Sequence, residues 1–174
     1  MGEREEENRK VAAALDSLGD ECARLSGVRI QQNYGDADNI VLAPNGIFIF
    51  EVKNASGVVE CSGDEWRRYK VGRAGGRYEI KIGSPSRQAK RNAKTLKDLL
   101  LTNQCEVFSG PAPHMWVHAA VVLPDDTEAR CGNPTADVIK TSGVAEYVRE
   151  TKSDRAYTQK EIEGMINFLS RNCN

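Results

Sequence analysis

The chain has 174 residues, 40% of them hydrophobic and 28% charged, with a formal net charge of -1. That suits one globular domain with a sizeable core and leaves little room for two. It excludes a global electrostatic pull toward polyanions, so an anion-binding surface must come from local segregation of charge.

The N-terminal MGEREEENRK is acidic and polar, unlike a secretory or mitochondrial leader, and Glu6 stands where a myristoylation signal has Ser or Thr. Residues 3–18 read as a helix. With Val11 at zero and about 100° per residue, Leu15, Leu18 and Ala14 form one apolar stripe. Of the four nearby glutamates only Glu7 falls inside that stripe; Glu5 and Glu6 fall outside and Glu3 at its edge. GVRIQQNY (27–34) is the expected first strand, ADNIVLA (37–43) the second and GIFIFEVKN (46–54) the third. Pro44-Asn45-Gly46 is a turn signal, so the last two form a hairpin. The pleat puts Ile47, Ile49, Glu51 and Lys53 on one face and Phe48, Phe50 and Val52 on the other.

GVVE (57–60), WRRYKV (66–71) and RYEIKI (77–82), the last after the Gly75-Gly76 turn, are expected as short strands extending the sheet. A helix begins at Ser84-Pro85 and runs to about Asn103, followed by a strand at MWVHAAVVL (115–123). Residues 124–137 are the expected long loop. Two short helical patterns close the chain, the second with Thr158 and Glu161 spaced as a capping box. No apolar run approaches the length of a membrane span, roughly 18 residues. The five cysteines, Cys22, Cys61, Cys105, Cys131 and Cys173, are widely spaced with no Cys-x-x-Cys. That argues against a disulfide framework or zinc site and suits a reducing, cytoplasmic setting. The order of elements is that of a mixed α/β sheet with helices packed on it.

Chemistry concentrates in three places. Glu51 and Lys53, two residues apart on a strand, present a carboxylate and an ammonium on one face, and the hairpin makes Asp38 a cross-ladder neighbour of Glu51. Two adjacent carboxylates repel unless a cation lies between them, and Mg²⁺ is held by such a pair. Taken alone, Glu-x-Lys is more often a strand-end ion pair, and Asp36 and Asp38 equally suit a turn opening a strand. Glu7 reads either as a rim glutamate with a wet head group or as a further carboxylate at the metal. On the helix after Pro85, Arg87, Lys90, Arg91, Lys94 and Lys97 share an arc of about 120°, opposite Ala89, Ala93, Leu96 and Leu100. Segment 64–98 holds eleven Lys and Arg, with Arg67, Arg68 and Lys70 among them, against four Asp and Glu. That local surplus suits a polyanion backbone as well as it suits a solvated helix face. His114 and His118 lack a metal-site pattern and read as structural.

Together these residues resemble the NERD (nuclease-related) domain, a branch of the PD-(D/E)xK nuclease superfamily. The resemblance rests on DADNIVLAPNGIFIFEVKNASGVV, Trp66 and GSPSRQAKRNAKTLKDLL, and spans about residues 7–123. Its pattern falls on Asp38, Pro44, Gly46, Glu51, Lys53, Asn54, Gly57, Trp66, Pro85 and Gln88. Asn39 stands where the family usually has His, and Val11 puts the family's first-helix Glu at Asn8, whereas helical phase favours Glu7. The resemblance implies a restriction-endonuclease-like α-β-β-β-α-β core at about 3–123 and a small C-terminal helical extension at about 138–172, all in one domain spanning 1–174. It implies Mg²⁺-dependent phosphodiester hydrolysis, with Mn²⁺ as a substitute and DNA as the favoured substrate. Asp38 and Glu51, joined by Glu7, are the implied metal ligands, Lys53 the catalytic lysine, and Gln88 a residue at the site or the nucleic acid. The competing expectation is a catalytically weak nucleic-acid-binding or protein-interaction module of the same fold. A membrane partner is not expected; a homo-oligomer or a separately encoded partner protein is left open.

Overall fold

The structure, a computed structural model, describes residues 3–30 and 36–173. In chain order it has α1 (Glu3–Leu15), β1 (Ala23–Val28), β2 (Ala37–Ala43), β3 (Gly46–Val52), β4 (Val58–Gly63), β5 (Glu65–Val71) and β6 (Arg77–Ile80). Then come α2 (Pro85–Thr102), α3 (Gln104–Val107), β7 (Val117–Leu123), β8 (Glu128–Pro134), β9 (Asp137–Lys140), a 3-10 turn (Thr141–Gly143), α4 (Val144–Glu150) and α5 (Gln159–Asn172).

The main sheet has the order β1-β2-β3-β7-β9. β1, β2 and β3 are antiparallel neighbours, while β7 and β9 continue the sheet parallel to β3. A parallel step cannot be made by a hairpin; the long connection through β4–β6 and α2 supplies it. β2 and β3 are buried along their whole length, as sheet-centre strands covered on both faces must be. The expected pleat holds. Ile47 and Ile49 pack with Ile40, Leu96, Leu100 and Met165 on the side of α2 and α5. Phe48, Phe50 and Val52 pack with Val11, Leu15, Val144 and Val148 on the side of α1 and α4. A third cluster, Ala55, Val59, Cys61 and Trp66 with Val121 and Leu123, closes the end of the sheet beside Glu51.

Four expectations are corrected. The strands after residue 57 do not extend the main sheet but form a second one, β6-β5-β4-β8. Both edges of β3 are already taken by β2 and β7, so β4 has no edge there to join. Gly57 makes the departure, at φ 94° and with Tyr69 O 2.6 Å from where a Cβ would stand. The expected loop at 124–137 contains β8, tied down by Glu128 N donating to Gly57 O at 2.9 Å and Thr127 Oγ1 to Ala55 O at 2.8 Å. The C-terminal extension is not wholly helical, because β9 joins the main sheet before α4 and α5 begin. The first strand starts earlier than expected, at Ala23, and ends at Val28; residues 31–34 of the expected span lie outside the described residues. The Thr158–Glu161 capping box opens α5 as expected. No helix among the described residues is long and apolar enough to cross a membrane.

Candidate active site

The hairpin register, with Ala43 opposite Gly46 and Asn39 opposite Phe50, brings Asp38 to Glu51 at the next step. Both are buried, Glu51 completely. Asp38 Oδ2 accepts a hydrogen bond from Val52 N at 2.8 Å, which fixes its carboxylate against the end of β3. Lys53 Nζ lies 2.6 Å from Glu51 Oε1, and its side chain keeps 25% exposure, so the ammonium reaches from the buried carboxylate to solvent. The same Nζ donates to Gln88 Oε1 at 3.4 Å. Asp38, Glu51, Lys53 and Gln88 are thus brought together from β2, the end of β3 and the first turn of α2. Paired hard oxygen donors of this kind fit Mg²⁺ or Mn²⁺.

Glu7 of α1 is buried, as its helical phase requires, while Glu5 and Glu6 are exposed. Its carboxylate accepts a short hydrogen bond from Thr141 Oγ1 and lies 3.4 Å from Lys10 Nζ. Among the described residues no group of three or more His, Cys, Asp or Glu side chains is arranged to hold a metal, so the structure does not gather Glu7 with Asp38 and Glu51 into one cluster. Asp36 is exposed and pairs with Arg29 at 3.3 Å. Asn39, on the opposite face from Asp38, accepts from Ser26 Oγ at 2.8 Å.

The first turn of α2 joins the expected Ser84, Pro85 and Trp66 to Ser86 and Asp64, which sequence reasoning passed over. Ser84 caps it, accepting from Arg87 N, with Pro85 at the first helical position. Trp66 Nε1 donates to Ser86 Oγ at 3.0 Å, and Ser86 Oγ donates to Asp64 Oδ1 at 2.6 Å. Asp64 also receives Thr135 Oγ1 and, at 3.0 Å, Lys90 Nζ. These bonds, Ser86's first, hold its carboxyl well below the usual carboxylate range. Ser-Pro before a helix is a legible cap signal; the convergence on Asp64 has no local signature, since its side-chain partners come from two other segments, α2 and the β8–β9 connection.

The expected nucleic-acid contacts divide. On α2 the cations share the solvent side, with Ala89, Ala93, Leu96 and Leu100 buried opposite. Several already have acidic neighbours: Arg87 at 3.7 Å and Lys90 at 3.0 Å from Asp64, and Lys94 at 2.5 Å from Asp98. Arg91 is exposed and Lys97 half-buried on the same helix. On β5, Arg68 braces the loop after Lys53 by donating to Ser56 O and Ser56 Oγ, both at 2.8 Å. Arg67 is exposed on the other face and Lys70 half-buried. His118 stacks on Phe48 at 5.0 Å between centroids and His114 is exposed; among the described residues neither belongs to a group of three or more side chains that could hold a metal.

A mixed α/β sheet flanked by helices, with a second sheet packed at the end that carries the carboxylates, is a restriction-endonuclease-like architecture. The family model for the nuclease-related domain matches residues 2–124, and the chain belongs to that family. No match was found among curated proteins or among solved structures.

Proposed function

We propose that this protein is a metal-dependent nuclease that hydrolyses phosphodiester bonds, with DNA as substrate and Mg²⁺ as its cation. The observation that carries the reading is the buried Asp38–Glu51 pair with Lys53 Nζ 2.6 Å from Glu51. A fully buried carboxylate costs folding free energy unless it is paired, and a bound cation would add to the pairing that Lys53 supplies. Asp38 and Glu51 would hold the ion, which supplies charge neutralisation at the phosphoryl group and a bound water of lowered pKa. Lys53 has three donor hydrogens on a stem that reaches solvent, so it orients the attacking water and stabilises negative charge developing on a phosphoryl oxygen. Gln88 holds Lys53 in place and presents the start of α2, whose cations draw in the nucleic-acid backbone. Five free cysteines and no membrane-length helix among the described residues support a reducing, cytoplasmic setting.

The deciding experiment incubates plasmid and single-stranded DNA with Mg²⁺ or Mn²⁺ and compares wild type with Glu51→Ala and Lys53→Ala. Metal-dependent cleavage by wild type, reduced at least about 100-fold in each variant, is the expected result. No metal-dependent cleavage, or cleavage that survives both changes, would overturn the proposal. Salt-sensitive DNA binding without cleavage would favour the non-catalytic binding module instead.

A further inference from the structure

Trp116 is 65% exposed, an unusual position for the largest apolar side chain, and it stands just before β7. Trp116 lines a groove of about 550 Å³ together with Lys90, Lys94 and Lys97 of α2 and His118 of β7. The groove lies where β7 lacks an outer neighbour: β9 pairs only from Ala120 onward, so Val117 to Ala119 form its floor. Its lining carries three ammonium groups and the Asp137 carboxylate, which accepts from Tyr147 OH at 2.6 Å; Lys90 and Lys94 also lie 3.0 Å from Asp64 and 2.5 Å from Asp98. A volume of this size accommodates a small organic moiety.

Position relative to the candidate active site gives the groove its meaning. α2 starts at Pro85, sets Gln88 beside Lys53 in its first turn and runs back toward the start of β7, with Lys90, Lys94 and Lys97 on the groove side, about 120–180° around the helix from Gln88. Gln88 to Lys97 spans about 13 Å at 1.5 Å per helical residue. Glu51 is level with Val121 and Ile47 with Val117, so Trp116 lies about 16 Å along the sheet from Glu51 at 3.3 Å per residue. The three lysines therefore line one side of a groove that ends on an exposed indole. Duplex backbones need cations alone; an exposed aromatic plane at the end of a lysine-lined groove suits unpaired bases, which stack on it.

We infer that the α2–β7 groove binds single-stranded nucleic acid, with phosphates along Lys90, Lys94 and Lys97 and a base stacked on Trp116. This rests on the nuclease reading, because α2, which carries the groove's lysines, also holds Gln88 at Lys53.

The test is binding in chelator, which separates it from cleavage. Fluorescein-labelled oligothymidine and oligouridine of about twelve nucleotides are titrated with the full chain at low salt, read by anisotropy and by tryptophan quenching. Trp66 is buried at 7% exposure, so quenching by the oligonucleotide reports Trp116. Trp116→Ala should weaken single-strand binding about tenfold, Trp116→Phe should retain most of it, and Lys94→Ala with Lys97→Ala should flatten the salt dependence. The matching duplex should not distinguish Trp116→Ala from wild type. Equal single-strand affinity in Trp116→Ala, absent quenching, or equal binding of polyglutamate would overturn the inference. An unchanged thermal midpoint in the variants shows that they are folded. Failure of metal-dependent cleavage with these binding results intact would remove the nuclease reading and leave the groove standing.

Discussion

A half-buried imidazole is the residue-scale feature with the clearest consequence in solution. His118 stacks on Phe48, and a Cβ at Gly46 would stand 3.1 Å from its ring, so the β2–β3 turn is closed against it. Burial lowers its pKa from the ordinary 6.5, with Asp137 opposing that shift. Between the ordinary and the folded value the unfolded chain carries a proton that the folded chain does not. Stability from this group is therefore present above about pH 6.5 and lost as pH falls toward the folded value. Thermal midpoints measured from pH 8 to pH 5 should decline through that window in wild type and decline less in His118→Gln. Parallel curves would show that the imidazole is not the source. The two ends of the candidate site differed in how far local rules could reach. Asp38 and Glu51 meet because strand alternation and a short turn fix a register over a handful of residues, and Glu7 turns inward because helical phase does so. That Thr141 waits for Glu7 is a contact across 134 positions in the chain, and no periodicity carries that far.

At the scale of elements, the first turn of α2 is the device that aims Gln88 at Lys53. Trp66 from β5 donates to Ser86 in that turn, and the indole is 7% exposed. Replacing Ser86 by Ala leaves the buried indole N–H without its acceptor, a loss of about 1–3 kcal/mol. For a chain of this size that is a fall in the thermal midpoint of roughly 2–4 °C per kcal/mol. In the double variant with Trp66→Phe, the cost attributable to Ser86 should shrink, because no orphaned donor remains. An additive double variant would mean that the hydrogen bond is not what couples β5 to α2. The same elements show why the sequence was only partly legible. α2 announces itself with Ser-Pro, an amphipathic stripe and a one-sided run of cations. β8 does not: every residue from Glu128 to Pro134 is exposed, so the alternation that marks a strand is missing. It is a strand only because β4 lies alongside. Strand character in β4, β5 and β6 was readable, but not which sheet they join, since partner choice depends on which edges remain open.

The molecule as a whole is nearly neutral, yet it concentrates negative charge at the end of its most buried hairpin and positive charge along α2. Such an arrangement trades stability for function, and the trade can be measured. If Asp38 and Glu51 hold a divalent cation, binding to the folded state alone must raise stability by RT ln(1 + [L]/Kd). At ten times Kd that is about 1.4 kcal/mol, or some 3–5 °C for a chain of this length. Mg²⁺ should therefore raise the thermal midpoint of wild type above its value in chelator. Glu51→Gln keeps the shape of the side chain and removes its charge. Lys53 is not stranded by the change, because its side chain is 25% exposed and can turn to water. In chelator the variant should be at least as stable as wild type, since a costly buried carboxylate has gone. With Mg²⁺ it should gain nothing. A variant less stable than wild type in chelator would make the Glu51–Lys53 pair a structural ion pair. A variant that still responds to Mg²⁺ would place the cation elsewhere.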